Sequence, residues 1–162
     1  SCADLGHVRT GVAVRAGDPL PDIASADALR SALLAAEGIY FPDPQKATAG
    51  IHFARVLDTL GIRGEVEARL RPYPNGNTAM HELAQAHGAR LIGCTQVTEI
   101  KSTPGVVLVG MLPREFELAT VYSVGVCTAA AAPAAARRFI ELLTGAASRA
   151  LRIKAGFELG AA

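Results

Sequence analysis

Short β-branched runs alternate with amphipathic helical segments along nearly all of this 162-residue chain, and Gly or Pro closes almost every one. A helix between two strands returns the chain to the edge it left, so such a sequence builds a mainly parallel sheet covered by helices. Residues 7–15 (HVRTGVAVR) read as a strand, closed by Gly17, Asp18 and Pro19. Ser25 caps a helix to about Glu37, with Leu29, Leu33 and Leu34 at helical spacing and Gly38 beyond it. After a short strand at 39–41, Thr48 opens a helix over 49–60 whose apolar face carries Phe53, Val56 and Leu57. Residues 64–71 suit a strand or a helix. A helix at 76–87, a strand at 89–95, a helical turn at 97–101 and strands at 105–110 and 117–127 follow. The helix predicted over 133–144 starts on Pro133 and turns Phe139, Leu142 and Leu143 inward, and residues 148–154 form a last helical piece. The fold class is therefore α/β, and ligand sites are expected at the carboxyl ends of the strands. The long strands 7–15 and 117–127 suit hinge crossings between two lobes.

Composition narrows the function. Sixteen Lys and Arg balance fifteen Asp and Glu, with no basic stripe of the kind that neutralises nucleic-acid phosphates. Half the residues are hydrophobic, which excludes a disordered chain. The longest apolar run, 124–136, is Ala-rich, carries Pro133 and is too short to span a bilayer. Cys2, Cys94 and Cys127 lie far apart and form neither a disulfide framework nor a zinc site. His81 and His87 are six apart and do not share a helix face, so no metal site is expected. No nucleophile elbow, Walker loop or dinucleotide fingerprint is present, and the chain is read as non-enzymatic. It opens at Ser1 in mid-pattern without Met, so a leader or larger upstream piece is expected before it.

Two helix starts stand out: Thr48, Ala49 and Gly50, and Gly76, Asn77 and Thr78. Both have small residues and no Lys or Arg in the first turn. Thr48 and Asn77 can be read as ordinary N-caps. They can also be read as anion sites, where unpaired backbone N–H groups and the positive end of the helix dipole hold an oxyanion without a salt bridge.

Residues 11–23 (GVAVRAG…PDI), 25–44 (SADALRSALLAAEGIYFPDP) and 48–62 (TAGIHFARVLDTLGI) resemble the solute-binding proteins of molybdate ABC transporters. So do 93–100 (GCTQVTEI), 104–113 (PGVVLVGMLP), and 122–125 followed by 133–143 (PAAARRFIELL). The resemblance covers nearly the whole chain in order. It implies a type-two periplasmic-binding-protein fold, with two α/β lobes, two crossover strands and an oxyanion in the cleft. The family members begin with about seventy residues that build most of the first lobe, roughly half a small domain. On this resemblance residues 1–15 are a crossover strand and 16–119 one complete lobe, the family's second. Residues 120–162 are then the returning strand and C-terminal helices of an incomplete first lobe.

The same resemblance implies that backbone N–H groups at two helix starts bind the oxyanion, at positions matching Ala49 and Thr78. A hinge-side residue, Tyr in the best-known branch, matches Gln96, an amide that donates as a hydroxyl does but differs in size. The expected site is thus Thr48, Ala49, Gly50, Asn77, Thr78 and Gln96, with molybdate or tungstate as ligand and no cofactor. The implied partners are the oxyanion and the membrane permease of an ABC transporter, in the periplasm. Nucleic acid is not among them. An incomplete lobe exposes a strand edge and an apolar helix face, which favours a homodimer. The readings left open are a cytoplasmic effector-sensing domain of the same fold and a degenerate homologue that has lost its ligand.

Overall fold

The computed structural model describes residues 2–160. Ser1, Ala161 and Ala162, which the sequence reading includes in its first and last segments, lie outside the described residues. The chain divides into two compact units, a larger one over Arg9–Leu118 and a smaller one made of Ser1–Val8 and Ala119–Ala162.

The larger unit is an open sheet with helices on both faces. Strand β1 (Cys2–Arg15) enters it at Arg9. Strands β2 (Gly38–Pro42), β3 (Leu70–Tyr73), β4 (Leu91–Gln96) and β5 (Val106–Met111) complete the order β3-β2-β4-β1-β5. The pairings β2 with β3 and β2 with β4 are parallel, whereas β1 is antiparallel to both β4 and β5. Four strands therefore share one direction and β1 alone runs against them.

The helices follow their apolar stripes. Helix α1 (Ala26–Ala35) starts where expected, with Ser25 Oγ accepting the Ala28 N–H at 3.1 Å. Helix α2 (Thr48–Thr59) places Phe53, Val56 and Leu57 in a cluster with Val12, Ile92 and Cys94. Helix α4 (Gly76–Gln85) places Ala79, Met80 and Leu83 in a second cluster with Ala13 and Leu91. Successive residues of β4 alternate between these clusters, so α2 and α4 lie on opposite faces of the sheet. Burial pushes the Cys94 thiol well above its ordinary value and keeps it protonated.

The ambiguous stretch 64–71 holds three elements: helix α3 (Arg63–Val66), a 3-10 turn (Glu67–Arg69) and the start of β3. Pro72 lies in β3, which is an edge strand and does not need that residue's missing N–H. Helix α5 (Val97–Ser102) follows β4 directly.

In the smaller unit, β6 (Ala119–Gly125) pairs with β1, and Ser123 Oγ donates to Asp4 Oδ1 at 2.6 Å. The strand predicted over 117–127 is thus shorter at both ends. The one predicted over 7–15 is longer, because β6 supplies a partner that residues 2–6 do not advertise through β-branched side chains. Helix α6 (Pro133–Thr144) has the expected bounds but not the expected orientation. Phe139 and Leu142 are 59% and 60% exposed, while Ala136, Ile140 and Leu143 are half-buried. Its apolar residues span more than one face, and the periodicity alone does not select which stripe packs. Helix α7 (Arg149–Ala155) is held by Arg152, whose guanidinium donates to the carbonyls of Leu5 at 2.7 Å and Thr144 at 2.8 Å.

Candidate anion-binding site

Helices α2 and α4 both begin at the carboxyl edge of the parallel strands. The β2–β4 register is Ile39 with Ile92 and Tyr40 with Gly93. Continued by two residues, it brings Pro42 level with Thr95, on strands about 4.8 Å apart. A Cβ on Gly50 would lie 2.2 Å from the Pro42 carbonyl oxygen, and one on Gly76 would lie 2.0 Å from Thr95 Oγ1. The first turns of the two helices thus abut neighbouring strand ends from opposite faces of one sheet. Both glycines are required by close approach, one to backbone and one to side chains.

The two starts differ in how their N–H groups are satisfied. The turn before α2 closes on itself: Asp43 Oδ1 accepts from Gln45 and Lys46 N–H at 2.7 and 3.1 Å, and the Asp43 carbonyl accepts from Ala47 N–H at 3.1 Å. Ala47 is the N-cap and has no side chain to offer. The Ile51 N–H bonds the Ala47 carbonyl at 2.9 Å, which leaves the N–H groups of Thr48, Ala49 and Gly50 without an intrahelical acceptor. Ala49 and Gly50 are buried and Thr48 is exposed.

Helix α4 is capped by its own sequence. Asn75 is the N-cap, and its Oδ1 accepts the Thr78 N–H at 2.8 Å. The Glu99 carboxylate stands beside the same turn, 2.1 Å from where a Gly76 Cβ would be, and accepts the Thr95 hydroxyl at 2.6 Å. Thr48 and Asn77 are therefore not the caps, which lie one and two residues upstream. Thr78, expected as a backbone donor, already donates within the chain.

Gln96 ends β4 and is 5% exposed. Its side chain follows Cys94 in the strand alternation and so faces the α2 side of the sheet. Residues 48–50 and 96 share one edge and one face, while Asn77 and Thr78 reach that edge from the other face. Glu99 carries little sequence signal, because Thr and Glu four apart across a strand end are common in chains of many kinds.

Beside the α2 start, a cleft of about 550 Å³ is lined by residues 43–46 and 72–74. It includes Tyr73, whose hydroxyl is held above its ordinary value, chiefly by burial and then by the Glu82 carboxylate. Among the described residues no three His, Cys, Asp or Glu side chains are grouped to hold a metal ion, and no helix is long and apolar enough to cross a membrane.

The model of the bacterial extracellular solute-binding protein family matches residues 2–158. Aconitate isomerase from Pseudomonas sp is 29% identical over 144 residues, covering 88% of this chain and 53% of that protein. The chain thus spans about half the length of the curated relative it matches. Among solved structures, the periplasmic molybdate-binding protein of Azotobacter vinelandii superposes with a TM-score of 0.76 at 20% identity, covering 99% of this chain and 69% of that one. The substrate-binding protein of an ABC transporter from Agrobacterium tumefaciens gives 0.66 at 16% identity, covering 94% and 49%. These structural likenesses are likenesses of fold, the type-two periplasmic-binding-protein fold. With nearly every residue inside the family match, the chain belongs to the bacterial extracellular solute-binding protein family.

Proposed function

We propose that this chain binds a tetrahedral divalent oxyanion, such as molybdate or tungstate, at the start of α2. It would do so as part of a periplasmic solute-binding protein that delivers the ion to an ABC-transporter permease. The observation that carries the reading is the Ala47 cap, which leaves the N–H groups of Thr48, Ala49 and Gly50 unclaimed at the carboxyl edge of the sheet. Gln96 stands on the same face, and Asn77 adds a donor from the α4 side. Thr78 joins only when the ligand displaces Asn75.

Each charge-assisted N–H···O bond contributes about 1.5–3 kcal/mol. Set against the entropy of association, two or three of them place the affinity of this one edge near the millimolar range. Selection against hydrogen phosphate follows because its O–H would face a donor. Amide chemical shifts during titration with molybdate, tungstate, sulfate and phosphate test the reading. Shifts centred on residues 48–50 and 96, largest for the group-six oxyanions, support it, and shifts confined elsewhere overturn it.

A second reading is favoured by the 29% identity to aconitate isomerase, whose name points to a tricarboxylate. Carboxylate oxygens accept from the same helix start, so aconitate belongs in the titration, and tighter binding of aconitate than of molybdate decides for it. An isomerase must also move a proton, yet the imidazole carried by α2, His52, holds the Phe116 carbonyl at 2.7 Å through Nε2. The outward Phe139, Leu142 and Leu151 of the smaller unit are the surface on which we place a homodimer. Sedimentation showing a monomer at micromolar concentration would remove that part.

A further inference from the structure

Thr10 is 1% exposed in the middle of β1, among Val8, Val12 and Val14. Its main chain is satisfied: the N–H donates to the Leu118 carbonyl at 3.1 Å, and the carbonyl accepts the Leu112 N–H at 3.3 Å. Its hydroxyl is not, for Thr10 Oγ1 has no hydrogen-bond partner among the described residues. A buried hydroxyl without a partner destabilises a fold, and Val would fill the same space in a strand without that cost. The hydroxyl is therefore held in the core with no acceptor taken in this structure.

The strand alternation fixes where it points. Thr10 shares its face with Val12, which packs with Phe53 of α2, and its cross-strand partner is Gln96. The same face is tied to the start of α2 by a second route. His52 binds the Phe116 carbonyl, Phe116 lies in the α2 cluster, and two residues later the Leu118 carbonyl takes the Thr10 N–H. Thr10 Oγ1, the Gln96 amide and the open start of α2 are thus set on one face at one end of the sheet.

We propose that Thr10 is a ligand-binding residue, whose hydroxyl donates to an oxygen of the anion held by the α2 start. This rests on the anion-binding reading above and adds a donor that neither the motifs nor the comparisons assign.

The test compares the full 162-residue chain with Thr10→Val, Thr10→Ser and Ala47→Asp, each titrated with molybdate, tungstate and aconitate and followed by amide shifts into the millimolar range. Ala47→Asp places an internal carboxylate over α2 and reports on the anion reading itself. Thr10→Val is expected to melt about 2–4 °C higher without ligand, since a buried unsatisfied hydroxyl is gone. It should bind the anion roughly ten-fold more weakly, whereas Thr10→Ser binds like the parent chain. If Thr10→Val binds as the parent does while Ala47→Asp loses binding, the role of Thr10 is overturned and the α2 site stands. If neither variant changes binding, or the parent chain binds none of the anions, both fall.

Discussion

Helices α2 and α4 begin with similar sequences at the same edge of the same sheet, yet they present opposite chemistry there. The first starts on Ala47, which cannot cap, and its opening turn rests against the main-chain oxygens of Pro42 and Asp43. The second starts on Asn75, which does cap, and its opening turn rests against the side chains of Thr95 and Glu99. One helix end is left with donors to spare, while the other has been given an acceptor and a neighbouring carboxylate. The residue immediately before the small-residue motif therefore decides whether each of two look-alike starts satisfies an N–H group of its own first turn.

The sharpest way to break the comparison is to add a Cβ to each first turn. Gly50→Ala drives a methyl to 2.2 and 2.3 Å from two backbone oxygens that cannot retreat, and should cost about 3 kcal/mol in urea unfolding. Gly76→Ala drives a methyl against Thr95 Oγ1 and the Glu99 carboxylate, of which the carboxylate can swing away while the buried Thr95 cannot, and should cost about 2 kcal/mol. Equal losses would mean that the two ends are built alike. Exchanging the caps comes next. Asn75→Ala should lose about 1 kcal/mol by removing the acceptor of the Thr78 N–H. Ala47→Asp should gain about 0.5–1 kcal/mol by supplying one to α2, while abolishing anion-induced shifts at residues 48–50. A stabilised Ala47→Asp chain that still binds anion would overturn the α2 start as the binding site. The smallest effect is expected from Glu99→Gln, which removes a negative charge from the edge. It should strengthen dianion binding a few-fold, with the gain falling as salt is added. No gain at low salt would place the anion outside the field of that carboxylate.

Much of this contrast escapes a reading of residues in order. Ser25 is legible as a cap because Ser precedes a clean apolar stripe, and it binds Ala28 as expected. Asn75 is masked by Asn77, a second good capping residue two positions later, and only the φ and ψ of Asn75 and its bond to Thr78 tell them apart. In α6 the bounds are legible from Pro133 and Gly145, but the packed side is not. Ile140 and Phe139 are equally apolar, and the neighbours that choose between them come from residues far away in the chain. Residues 64–71 carry both periodicities because the chain there passes from helix to strand within a few residues.

The order of strands and helices, their places in the chain and the small-residue helix starts were settled locally, because turn chemistry, caps and apolar period all act within a few residues. The face each helix covers, the level at which Pro42 meets Thr95, the placing of Glu99 under α4 and the orphaned hydroxyl of Thr10 were settled only by tertiary structure. Each depends on which distant strands pair and in what register, and a shift of one residue would turn every one of those side chains to the other face.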